Sequence, residues 1–379
     1  MKIGIITLPL HTNYGGILQA YALQTVMQRM GHDVRIIDYD SMKPLRLPLW
    51  KMPLAYSKRI VKNLIGRPTP IFFEQKVNRE TPVIRQHTNR FIDKYLRRFV
   101  IEDFNQIRET DFDAFVVGSD QVWRPRYFEP MFRTDITDAY LGFAKDWDII
   151  RLSYAASFGV DTWEYNSRQT ENCKELLKLF KGVSVREDSA VELCRKFYGI
   201  DAVHVLDPTM LLTLEDYISL IDVARPPQSD GELLTYILDV TEEKSKFIKD
   251  VSAKTSYKTF SVIAQSTDFN TEVSMRIQPP LESWLKGFMD AKIVITDSFH
   301  ACVFSILFRK PFLAIVNEGR GASRFRSLLG LFGLEDRIVD IHKPIGNEMI
   351  ETPLPAHVYG TLNVLREKSI NFLNKLNYE

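Results

Sequence analysis

The chain has 379 residues, of which 45% are hydrophobic, 12% aromatic and 26% charged, with a formal net charge of +1. That balance excludes a disordered chain, which needs fewer aromatics and more net charge, and gives no global reason to expect nucleic acid. A chain of this length usually divides into two cores, and its three cysteines, Cys173, Cys194 and Cys302, lack the paired spacing of a disulfide framework or a thiolate metal site, which suits a reducing cytoplasm.

Residues 3–8 form a short β-branched apolar run, read as a buried first strand because no long apolar region or small-residue cleavage site marks it as a leader. A glycine-containing turn (11–16), a helical pattern (17–30), Gly31 at the C-cap position and a strand at 34–37 complete a β-turn-α-β unit. The pattern then breaks over 41–73. Prolines interrupt it, and Lys43, Arg46, Lys51, Lys58, Arg59, Lys62 and Arg67 interleave with Trp50, Leu54, Tyr56, Ile60, Val61, Leu64 and Ile65, with no acid among them. A basic amphipathic helix is expected there, facing an anionic membrane surface or a lipid diphosphate on the acceptor, the alternative being a solvated insertion that packs locally. A helix at 89–98 leads back to strands at 114–117, 152–155, 182–185 and 203–206, with a helix at 187–198. Proline and acid cluster at 225–232, read as a linker. Strands at 233–238, 258–263, 293–296 and 312–316 then alternate with helices at 242–255, 280–289, 299–308 and 324–331. The expected architecture is α/β, with two Rossmann-like domains facing a cleft. The first spans 1–225, with an insertion at 41–100 and the acceptor side of the cleft; the second spans 232–357 on the donor side, and a helix at 358–379 crosses back to the first. No stretch approaches the roughly 18–20 apolar residues that a membrane-spanning helix needs.

Parallel sheets place binding loops at the carboxyl ends of their strands, beside helix N-termini. Four such loops are rich in polar residues. In the first, Asn13, Tyr14, Gly15, Gly16 and Gln19 offer a close backbone approach and free N–H groups to a sugar or an anion; the alternative is a glycine turn kept for its geometry. In the second, Ser119, Asp120 and Gln121 emerge from a buried strand, with Asp120 placed to orient or deprotonate a sugar hydroxyl and Trp123 to stack on a pyranose; the alternative is an N-cap and a core tryptophan. Arg186 leaves the third strand and can fork onto a carboxylate or phosphate, or else pair with Glu187 or Asp188. The fourth loop, Thr296-Asp297-Ser298-Phe299-His300, puts a histidine in the first turn of an apolar helix beside a titratable aspartate, where it can bind phosphate or act as a general acid. Arg320 and Arg324 follow the next strand and can close over an anion in the same crevice. Neither a phosphate-binding glycine-lysine loop nor metal-ligand spacing of histidines occurs.

The ordered series N-Y-G-G-x-L-Q-A-Y-A-L, V-G-S-D-Q-V-W, S-V-R-E-D-S, L-D-P-T and T-D-S-F-H-A, followed by K-P-F and S-R-F, resembles the polysaccharide pyruvyl transferase family. The resemblance implies a GT-B-like fold and transfer of a pyruvyl group from phosphoenolpyruvate, as co-substrate and with no further cofactor, to a sugar of a surface polysaccharide or its lipid-linked precursor. It also implies that His300 moves a proton to the donor and that Arg186 holds the donor's anionic groups. The chain departs from the pattern at Ser298, where other branches carry an arginine. A serine donates one neutral hydrogen bond in place of a charged fork, so either Arg320 or Arg324 takes over that role or the donor differs. Two rival expectations follow: a glycosyltransferase of the same fold using a nucleotide sugar, and a non-catalytic glycan-binding protein. In each case a cytoplasmic protein is expected, with contact to the inner face of the membrane through residues 43–67 left open.

Overall fold

A computed structural model describes residues 1–39, 44–66, 70–316 and 321–377. Lys43, Arg67 and Arg320 lie outside the described residues. The β-branched runs form two all-parallel sheets. The first contains β1 (Lys2–Ile6), β2 (Asp33–Tyr39), β3 (Arg98–Ile101), β4 (Ala114–Val117), β5 (Ile150–Ala156), β6 (Gly182–Val185) and β7 (Val203–His204), in the order β3-β2-β1-β4-β5-β6-β7. The second contains β8 (Leu233–Tyr236), β9 (Thr259–Phe260), β10 (Ile293–Thr296) and β11 (Phe312–Ala314), in the order β11-β10-β8-β9. Central strands are buried on both faces, as continuous apolar runs such as Ala114–Val117 and Ile293–Thr296 require. The molecule is α/β with two Rossmann-like sheets, as the sequence implies. β3 is a departure: residue 98 was read as the end of a helix, whereas the helix stops at Tyr95 and Arg98–Ile101 pairs in register with Ile36–Tyr39 as an edge strand.

In the first sheet the chain direction of winding reverses between β1 and β4, and in the second between β8 and β10. Those switch points are where parallel sheets open a crevice at their carboxyl ends. Side chains from both sheets pack into one apolar cluster: Tyr14 lies 5.7 Å from Trp284, and Tyr217 meets Phe304 edge-on at 4.9 Å. The helix His357–Leu373 runs back along the first sheet, where Arg366 donates to the Met210 and Leu212 carbonyls and the Ser369 hydroxyl accepts from the Leu206 N–H.

The segment between β2 and β3 carries helices Met52–Leu64, Phe73–Ile84 and Gln86–Tyr95. The second of these reaches the other half of the molecule: Glu80 pairs with Arg276 at 2.6 Å and Lys76 donates to the Phe269 carbonyl. Helix Met52–Leu64 buries none of its residues. Among the described residues no helix is long and apolar enough to cross a membrane.

Candidate active site

β10 ends in a knot of side-chain hydrogen bonds. The Thr296 hydroxyl donates to the Tyr236 carbonyl and accepts from the Ser298 N–H, while the Asp297 carboxylate accepts from the Leu238 and Asp239 N–H groups and from the Lys244 ammonium at 2.7 Å. Asp297 therefore ties the ends of β8 and β10 together and is committed to Lys244. The helix Phe299–Leu307 starts from this rigid turn and carries His300 in its first turn.

His300 belongs to the second sheet's half but is held by the first. Its ring fills the space a side chain would occupy at Gly15: a Cβ built there falls 2.1 Å from Nδ1 and 2.3 Å from Cγ. Its Nε2 is buried 3.5 Å from an oxygen of Asp207, which follows β7. The other Asp207 oxygen accepts from the Thr209 N–H and hydroxyl, and Arg186 donates to the carboxylate at 2.8 Å. Burial alone would raise this carboxyl's pKa; the close approach of His300 and the charge and hydrogen bond of Arg186 outweigh it and hold the group well below the usual carboxylate range.

Asp207 was quoted in L-D-P-T but not singled out as a site residue. Its signal in the sequence was an acid at a strand end, before a proline. His11 also lines the crevice.

Arg186 sits at the centre of a buried charge cluster. Its guanidinium is 1% exposed, 2.8 Å from Asp207, 3.5 Å from Asp120 and 3.9 Å from Glu187, and it lies 4.6 Å from the centre of the Phe299 ring. Burial opposes its charge, yet the three carboxylates hold its pKa above the ordinary value. Arg186 does not line the crevice: its guanidinium makes one hydrogen bond, to Asp207, while its buried Nε and Nη2 meet Glu187 and Asp120 only at ion-pair distance and find no hydrogen-bond partner. Arg324, on the helix Ala322–Phe332, lies 5.9 Å from the centre of the Phe299 ring and lines the crevice. Burial and the nearby Arg186 lower its pKa to about 10, which leaves it cationic at neutral pH.

The crevice is a cavity of about 370 Å³ between the two sheets, walled by Asn13, Gly15, Asp120 and Gln121 from one side and by Ser298, His300 and Arg324 from the other. Asp120 accepts from the Gln121 N–H and, more weakly, from the Asn13 amide. These seven of the expected residues are brought together.

Five others are not. Tyr14 is buried, with its hydroxyl donating to the Pro279 carbonyl, so it joins the two halves. Gly16 is covered by the Asn13 side chain. Gln19 is spent on Thr7, the Gly16 carbonyl and the N–H of the buried Ser119. Trp123 is fully buried, stacked on Tyr140 at 4.9 Å with its indole N–H on the Ala139 carbonyl, and cannot meet a sugar. The cavity thus joins an acid-base pair of groups to a cationic one, the equipment for holding an anion while a proton and a hydroxyl react.

Among curated proteins no sequence matches the chain. Similar solved structures include UDP-GlcNAc 2-epimerase from Methanocaldococcus jannaschii (14% identity, 98% of this chain and 93% of that one, TM-score 0.44) and UDP-GlcNAc 2-epimerase from Neisseria meningitidis bound to UDP-GlcNAc (11%, 100% and 95%, TM-score 0.45). UGT89C1 from Arabidopsis thaliana is a third (11%, 99% and 97%, TM-score 0.47). At this level of overlap they add nothing to the architecture read from the strands themselves. The family model for polysaccharide pyruvyl transferase matches residues 13–319, which include the wall residues named above except Arg324. By that match over the greater part of its length, the chain belongs to the polysaccharide pyruvyl transferase family.

Proposed function

We propose that the cavity transfers a pyruvyl group from phosphoenolpyruvate to two hydroxyls of a sugar in a surface polysaccharide or its lipid-linked precursor. The observation that carries this reading is His300, set in the cavity wall with a buried carboxylate behind it and Arg324 beside it. His300 gives a proton to the methylene carbon of the donor, leaving its C2 electron-poor. A sugar hydroxyl bonds to C2 as Asp120 takes its proton, the C2–O bond to phosphate breaks, and a second hydroxyl closes the ketal. Asp120 passes its proton to the departing phosphate, and the second hydroxyl's proton restores His300. Arg324 balances the donor's negative charge, in the place where Ser298 replaces the arginine of other branches. The scheme needs no further cofactor, and phosphoenolpyruvate puts the reaction in the cytoplasm.

The outward face of helix Met52–Leu64 supports contact with the membrane surface. Trp50, Leu54 and Leu64 are 77%, 75% and 81% exposed, with Val61 on the same stripe and Lys51, Lys58 and Lys62 along one flank. A helix whose apolar stripe points away from its own protein, edged with lysine, suits an anionic interface. Sedimentation with anionic vesicles should be lost in Trp50→Ser/Leu64→Ser and in high salt; unchanged sedimentation would remove this part of the reading.

The donor is tested by thermal shift and turnover. Phosphoenolpyruvate should raise the melting temperature, and a sugar acceptor should then release phosphate in the wild type but not in His300→Ala. Stabilisation by UDP- or GDP-sugars in place of phosphoenolpyruvate would replace this reading with glycosyl transfer. Sugar binding with no turnover of any donor would replace it with glycan binding.

A further inference from the structure

A second cavity, of about 530 Å³, opens along the same carboxyl edge of the first sheet. The segments after β1 and β2 line it with Pro9, His11 and Tyr39; the helix Phe73–Ile84 lines it with Val77, Asn78 and Thr81. His11 lines this cavity and the reaction cavity alike, so the two are adjoining chambers. Their electrostatics differ. The reaction cavity has Asp120 and Asp297 in its wall. The annex is lined by Arg46, Arg85 and Arg133, with no aspartate or glutamate among its described lining residues. Asp38, outside the lining, acts on Arg85 and also pairs with Arg98 at 3.2 Å and accepts from the Leu10 N–H.

Three guanidinium groups around one concavity form a positive well whose low-dielectric walls concentrate its field. Guanidinium forks match phosphate oxygens in pairs. His11 adds a neutral donor. Its Nδ1 accepts the Thr12 N–H at 2.7 Å, which places the ring proton on Nε2, and burial together with Arg85 lowers its pKa to about 4. Asn78 is fixed by a reciprocal pair of hydrogen bonds to the Leu45 backbone, so the wall carrying Arg46 is anchored to the helix behind it.

We infer that the annex is a binding site for a diphosphate ester, seated so that what the ester carries reaches past His11 into the reaction cavity. For the identity of the carried group, a sugar acceptor, this inference rests on the proposed function; the anion site itself does not. The chemistry suits a diphosphate on a lipid alcohol or on a nucleoside. The lipid is favoured by the chain path, since Leu45 and Arg46 lead within a few residues to the exposed apolar stripe that starts at Leu49 and Trp50.

The test is calorimetric titration with inorganic pyrophosphate at low salt. The wild type should bind it, Arg46→Gln/Arg133→Gln should weaken it at least tenfold, and His300→Ala should leave it within twofold. Both arginines are exposed, so folding is not at stake; Arg85→Gln, checked by its melting curve, gives an independent second reading and should also weaken binding. No binding by the wild type, equal affinity in the double variant, or loss in His300→Ala would each overturn the inference. Geranyl diphosphate and UDP then separate the sources: whichever gains affinity over pyrophosphate identifies a lipid-borne or a nucleoside-borne ester. Pyrophosphate binding without any phosphoenolpyruvate effect would overturn the donor reading alone, and the reverse pattern would overturn the annex alone.

Discussion

Gly15→Ala tests the contact that brings the two halves of the site together. The added Cβ would fall 2.1, 2.3 and 2.7 Å from Nδ1, Cγ and Cε1 of His300. Carbon and nitrogen atoms in contact sit about 3.5 Å apart, so the ring or one of the two helices must yield by more than about 1 Å. Neither yields easily: His300 starts a helix whose residues are all buried, and Gly15 lies in a helix with Ile17 and Leu18 in the core. Overpacking of this kind costs about 1–3 kcal/mol, and it opposes a gain of up to about 1 kcal/mol from replacing a helical glycine by alanine. In His300→Ala the obstacle is gone and only the gain remains. The same substitution should therefore lower the melting temperature of the wild type and leave unchanged or raise that of His300→Ala. Pyruvyl transfer in the single variant should fall by on the order of 100-fold, since a misplacement of about 1 Å at a reacting group has that effect. A melting temperature that drops equally in both backgrounds, or full transfer activity in Gly15→Ala, would refute the interlock.

Asp207→Asn should lower kcat by on the order of 10² or more with little change in KM, because it removes the carboxylate behind the imidazole without touching the cavity wall. It should also cost stability at the lower end of the roughly 3–5 kcal/mol seen when a buried ion pair loses one member, as Arg186 keeps Asp120 and Glu187; steady-state kinetics and chemical denaturation read the two effects. His11 sets an acid limb of stability. Its folded pKa, lowered to about 4 chiefly by burial, lies below the roughly 6.5 of the unfolded chain, so the unfolded state binds the extra proton between those values and stability falls as pH drops through that window. In His11→Asn the melting temperature should lose that part of its pH dependence. Trp123→Ala should destabilise by about 3–5 kcal/mol as a core truncation, with sugar affinity of the remaining folded protein unchanged.

The alternation of apolar runs with helical patterns was enough to imply two parallel sheets, because a strand buried on both faces can only read as an unbroken β-branched run and its crossover helix must show a 3.6-residue period. The edge strand β3 escaped that logic. An edge position half-exposes its residues, and only pairing with Ile36–Tyr39 selects strand over helix there. His300 was legible because an imidazole at a strand-to-helix junction stands out locally.

What surrounds His300 was not legible. Gly15 and Asp207 lie far from it in the chain, and nothing in their local patterns says which histidine they meet. Arg186 and Trp123 show the converse. Their positions at strand ends match ligand-binding loops, yet three carboxylates enclose one and Tyr140 covers the other. The sequence by itself determined the fold class and the loops in which chemistry is possible, since both follow from local periodicity and residue type. Only the tertiary structure decided which side chains face the cavity and which are buried as its supports, because burial and ion pairing depend on what the other half of the molecule brings to the same place.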